Sequence, residues 1–180
     1  DAPQLEEGEA AFAASNTNIV IQKNLVWLIT GGKKSHVWHS KDFGAHWERF
    51  EIPIKQGGEM TGAFTAAFYD ANVGVVAGGD YSNQNDHEGN LILTIDGGKT
   101  WKRVNYLNGP TYTSCIQFVP NSKGKEIVTV GAGGLFYSSD QGQHWLQLDS
   151  NSSLYTLRCL DENTLIAAGK NRIIRYELVR

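Results

Sequence analysis

The sequence predicts an all-β fold, a β-propeller of four-stranded antiparallel blades, of which these 180 residues supply about four. Three observations predict it. An eight-residue pattern, Ser/Thr-x-Asp-x-Gly-x-x-Trp, occurs three times: Ser40, Asp42, Gly44 and Trp47; Thr94, Asp96, Gly98 and Trp101; Ser138, Asp140, Gly142 and Trp145. Successive aspartates are 54 and then 44 residues apart, close to the roughly 40 to 50 residues of a propeller blade. The 20 glycines make up about 11% of the chain, against a usual value of about 7%, which points to short strands joined by tight turns. No stretch carries a 3.6-residue apolar period, so helices are not expected.

Around each copy of the pattern the flanks repeat as well: an alternating strand, a Gly-rich turn, a strand entering the motif and a strand leaving it. Blade one is expected over about 10–54, blade two over 62–105 and blade three over 113–148. The longer first interval is explained by an insertion at 79–90, where the third unit has only the turn 131–134. A fourth, incomplete blade over 154–178 has strands at 154–160, 164–169 and 172–178 and then no aspartate motif. The segment before Glu9 holds a proline, a glycine and three acids and makes a poor strand. Because propellers often complete one blade with strands from both chain ends, the chain is expected to be part of a longer propeller with further blades upstream. It begins at Asp1 without methionine, so a preceding segment is expected to have been removed. Open blade edges would also allow a homodimer.

Within the motif each residue type has a local task. The hydroxyl and carboxylate bond turn amides, the glycine accepts positive φ, and the tryptophan starts the next strand and packs. Truncating a core tryptophan costs roughly 3–5 kcal/mol of a domain's 5–15, so a structural role accounts for these twelve residues.

Composition excludes several functions. Sixteen basic against nineteen acidic residues give net charge -3, with no basic footprint for nucleic acid. No apolar run approaches the roughly 18 residues of a membrane span. Cys115 and Cys159 have no ligand-like spacing and are expected to be free, buried thiols.

The triplicate motif resembles the Asp-box, or bacterial neuraminidase repeat, which implies a β-propeller. A closer resemblance rests on the run 8–15, the turn Gly78 to Tyr81, the stretch Asn90 to Trp101 and the blade order. From about Gly8 to Tyr176 the chain is similar to the C-terminal half of photosystem II stability/assembly factor-like propellers. That resemblance implies an exported, extracytoplasmic binding or assembly protein, and some members carry an oxidoreductase label. The photosynthetic members have an arginine-rich patch, and arginine is sparse here.

Sialidase chemistry needs an arginine cluster for a carboxylate, an activated tyrosine and a general acid. Of six arginines, Arg49 and Arg103 follow motif strands, while Arg158, Arg172, Arg175 and Arg180 all lie in the last blade. A dinucleotide site fails because a strand, not a helix, follows Gly131 to Gly134. His36 and His39 should point to opposite faces of one strand, and His46 and His144 occupy spacer positions inside the motifs. The insertion acids Asp80, Asp86 and Glu88, with His87, lack the spacing of a calcium loop. No metal site and no cofactor are expected.

What remains is the central face where each innermost strand begins and the insertion arches over. Candidate contacts there for a protein or carbohydrate partner are Glu9, Glu59, Met60, Asp80, Tyr81, Tyr112, Ser114 and Tyr155. The leading expectation is a non-enzymatic binding propeller. The alternative is a glycan-directed hydrolase or lyase using carboxylates such as Glu59 and Asp80.

Overall fold

The computed structural model describes residues 2–12, 15 and 17–179. Its strands are β1 (Glu9–Ala10), β2 (Ile19–Gln22), β3 (Leu25–Ile29), β4 (Gly31–Gly32), β5 (His36–Ser40), β6 (Glu48–Glu51), β7 (Thr61–Phe68), β8 (Gly74–Asp80), β9 (Leu91–Thr94), β10 (Lys102–Arg103), β11 (Thr113–Phe118), β12 (Ile127–Gly131), β13 (Gly134–Ser138), β14 (Leu146–Asp149), β15 (Leu154–Cys159), β16 (Thr164–Gly169) and β17 (Arg172–Glu177). The sheets are antiparallel and run in chain order: β2-β3-β5-β6, β7-β8-β9-β10, β11-β12-β13-β14, and a three-stranded β15-β16-β17. This is the architecture of a partial β-propeller.

The first blade differs from the expected boundary. The backbone at Glu9 and Ala10 does not open its innermost strand but pairs with Gly32 and Gly31. Gly31 in turn meets Gly62 of β7, so β1 and β4 join the second sheet. Glycine makes this possible: a Cβ at Gly32 would collide with the Gly8 carbonyl oxygen. The innermost strand of blade one is therefore β2.

Three apolar clusters each fill one interface between consecutive blades. Trp27, Ile29, Ile52, Ile54 and Phe68 pack between blades one and two. Val75, Leu91, Ile116 and Ile127 pack between two and three, and Val130, Leu135, Leu157 and Leu165 between three and four. Among the described residues, none of these clusters joins blade four to blade one. Polar ties run along the same path: Thr17 Oγ1 donates to Thr65 Oγ1, which accepts from the Ile116 amide, and the Cys159 amide donates to Gln117 Oε1.

Each innermost strand of blades two to four carries a bulge near its start, between Ala63 and Thr65, Thr113 and Cys115, and Leu154 and Thr156. The extra residues are Phe64, Ser114 and Tyr155. A bulge re-aims one side chain and increases local twist, and here it does so at the same height in three blades.

Candidate functional site: the top face and the central cleft

The aspartate turns lie at the opposite, lower end and share one pattern of internal hydrogen bonds. Ser40, Thr94 and Ser138 each use one hydroxyl to donate to the aspartate two residues on and to accept from the glycine amide four residues on, at 2.8–3.0 Å. The position before each tryptophan is not a spacer. His46 Nδ1, Thr100 Oγ1 and His144 Nδ1 all pair with the second carboxylate oxygen at 2.6 Å. Burial raises the Asp96 carboxyl, but Thr100, Thr94 and the Lys99 amide outweigh it and bring it down to about 2. The carboxylates of all three turns are thus satisfied within their own loops.

The sites named from sequence separate at the top face, where the innermost strands begin. Tyr81 is half exposed and stands edge-on to Tyr112, ring centroids 5.5 Å apart. The line continues inward: Tyr112 meets Phe64 edge-on at 4.9 Å, and Phe64 stacks on Phe12 at 4.2 Å. The Tyr81 amide donates to the Met60 carbonyl, which places exposed Met60 beside it. Ser114 Oγ donates to the Tyr155 carbonyl at 2.8 Å, leaving the Tyr155 ring in solvent. The insertion spans this end: its Asp86 pairs with Lys55, and the Gln84 carbonyl accepts from the Tyr112 amide.

Two expectations need correction. Glu9 is not a surface contact. Its carboxylate accepts from the Glu6 amide, Thr30 Oγ1 and Trp38 Nε1, lies 3.0 Å from His36 Nδ1 and has no exposed side-chain area. Burial pushes its proton affinity up, but these donors win and hold it below the ordinary value, so Glu9 fastens the N-terminal segment to blade one. Tyr112 is buried at 8% exposure and serves as the shelf for Tyr81, its hydroxyl driven upward by desolvation. Asp80 accepts from the Ser82 and Asn83 amides through Oδ1 alone, the usual turn bonding of an aspartate. Glu59, Met60, Tyr81 and Tyr155 remain exposed.

Sequence reasoning missed the far end of the same strands. A central cleft of about 450 Å³ lies between Ile19 and Ile21 of β2, Phe68 of β7, Gln117 of β11 and Arg158 and Cys159 of β15. The signal was present: Gln117 and Arg158 both take the next-to-last place of their innermost strands, where β2 and β7 have Ile21 and Ala67. Arg158 is its cation, bonded to the Leu157 carbonyl at 2.8 Å, and among the described residues no carboxylate lines it. Burial raises the Cys159 thiol to about 12, so it stays protonated. His36 and His39 are both buried, and among the described residues no group of three or more His, Cys, Asp or Glu could hold a metal.

No family model matches the chain, and no curated protein matches it. Solved structures do. The chain aligns with a GH74 enzyme of Niastella koreensis at TM-score 0.62 and 19% identity, over 86% of this chain and 27% of that one. It aligns with an ancestral GH74 enzyme at 0.61 and 17%, over 89% of this chain and 22% of the other, and with the computationally designed Ika4 protein at 0.57 and 15%, over 89% of both. The chain therefore spans about a quarter of the GH74 structures it matches. These likenesses show a β-propeller fold. A structure of YCF48 bound to D1 peptide also aligns, over 91% of this chain, at TM-score 0.36. Among the described residues, no helix is long and apolar enough to cross a membrane.

Proposed function

We propose that this chain is a non-enzymatic binding segment of an extracytoplasmic propeller, and that its top face takes a protein partner through Met60, Tyr81 and Tyr155. One observation carries the reading: Tyr81 is an exposed ring held on a buried one, so it presents contact area with little conformational freedom left to lose. Tyrosine and methionine are enriched where proteins meet, and a pre-ordered aromatic binds at low entropic cost.

The carboxylates support binding over hydrolysis. A glycosidase needs one carboxyl held protonated beside a second, ionised one. Where the surroundings move a carboxyl here, they move it down: Glu6, Glu9, Asp42, Glu48, Asp86, Asp96, Asp140 and Asp161 all favour the ionised form. Glu9 is buried away from this face, and one oxygen of Asp80 is held by its own loop.

The test is a peptide-display selection on the purified chain, run beside a reducing-end assay on xyloglucan and a neuraminic acid release assay. The reading expects enriched peptides that lose binding to Tyr81→Ala, with no sugar released. Catalytic release of either sugar, abolished by Glu59→Gln, would establish the hydrolase instead.

A further inference from the structure

The repeat supplies an internal comparison at the outer junctions between blades. After each motif tryptophan the chain crosses to the next blade, and the fifth to seventh residues of that crossing seat against the next blade's motif. In the first crossing, counted from Trp47, they are Ile52, Pro53 and Ile54. Ile52 and Ile54 are almost fully buried, at 2% and 1% exposure, and Arg103 Nε donates to the Pro53 carbonyl at 2.6 Å. That junction is plugged. In the second crossing, counted from Trp101, the same places hold Tyr106, Leu107 and Asn108, and here Leu107 is 93% exposed and Asn108 is exposed. The third motif's tryptophan is also seated differently. Trp101 Nε1 donates to the Gly98 carbonyl, whereas Trp145 Nε1 is buried without a partner. The junction is left as a cleft of about 450 Å³, within the roughly 300–1,000 Å³ of small-ligand sites.

The chemistry of its walls is distinctive. Tyr106 and Trp145 form the aromatic part, edge to face at 6.1 Å. Asn105, Asn108 and Gln143 supply side-chain amides, each donor and acceptor at once. His144 gives its Nδ1 to Asp140, so its Nε2 is left over. Among the described residues, no lysine, arginine, aspartate or glutamate lines the cleft. Neutral two-way hydrogen-bonding groups beside aromatic rings suit a ligand whose groups are also donor and acceptor together, whose carbon skeleton offers C–H faces and which bears no charge. We infer that this junction is a binding site for a neutral saccharide, separate from the top face and independent of the protein-binding reading.

Cellotetraose, mannotetraose and triacetylchitotriose would be titrated against the whole chain by calorimetry and saturation-transfer NMR, with tetragalacturonate and a neutral tetrapeptide beside them. At least one neutral saccharide should bind saturably, with a dissociation constant below about 1 mM, and more than tenfold tighter than the anionic sugar or the peptide. Asn108→Ile, which restores the plug of the first junction, should abolish that binding with the melting temperature kept or raised. Asn105→Ala should weaken it at least threefold, and Tyr81→Ala should leave it unchanged. Absence of saturable binding by all three neutral sugars, preference for the anionic sugar or the peptide, or binding that survives Asn108→Ile would each overturn the inference.

Discussion

The ring of Tyr81 meets the ring of Tyr112 at 81° with centroids 5.5 Å apart, so a half-exposed side chain stands on one that is 8% exposed. Two tyrosines of similar appearance in the sequence therefore do different work. Tyr81→Ala should weaken partner capture while changing stability by no more than about 0.5 kcal/mol. Tyr112→Ala should cost about 3 kcal/mol, because it empties a site between Phe64 and Tyr81. Urea denaturation of the two variants checks the contrast, and equal losses would place both rings in the core.

The hydroxyl of Thr94 sits at the centre of the second aspartate turn, donating to Asp96 and accepting from the buried Gly98 amide at 3.0 Å. Thr94→Val keeps the shape and removes both bonds together with the longer one from the Asp96 amide. A loss of about 1–3 kcal/mol is expected, the cost of a buried amide left unpaired, and Thr94→Ser should recover most of it in the same denaturation assay.

Acid should act through the same turns. The Asp96 carboxyl lies at about 2 in the folded chain, below its ordinary value of 3.8. A carboxyl lowered by folding contributes stability that is complete above its unfolded value and is lost as pH falls toward the folded one. The melting temperature should hold from pH 7 to about 5 and fall between about 4 and 2. In Asp96→Asn it should start lower at pH 7 and fall less steeply, the two curves approaching near pH 2. Parallel curves would remove Asp96 as a source of the acid response.

Gly131 ends β12 where the backbone passes close to the start of β11. A Cβ there would lie inside contact distance of the Tyr112 carbonyl oxygen, and equivalent collisions await Gly78 against Gly62 and Gly169 against Ser153. Gly131→Ala should cost about 1–3 kcal/mol, as overpacking does, and should disturb the neighbouring bulge at Ser114. Thermal melts and the Ser114 amide shift by NMR test both parts.

The strand plan was legible because its signals are local. Turn chemistry at Asp42, Asp96 and Asp140, and alternation on either side, set the sheet order, down to three strands in the last blade. The first blade's start was not legible, since the pairing of Glu9 with Gly32 depends on a carboxylate caught by Thr30, His36 and Trp38 from elsewhere in the chain. The top face was legible as a place but not residue by residue. A tyrosine's letter does not say whether a neighbouring ring covers it, and bulges that turn Ser114 and Tyr155 arise from backbone register. The His46 and His144 contacts were readable in principle, because a donor four residues after each aspartate recurs as Thr100.

The most direct measurement is the affinity of a display-selected peptide for the wild-type chain and for Tyr81→Ala, by titration calorimetry at 25 °C. The top-face account predicts a loss of at least tenfold, about 1.4 kcal/mol, with the melting temperature unchanged. Equal affinity for the two proteins would contradict it.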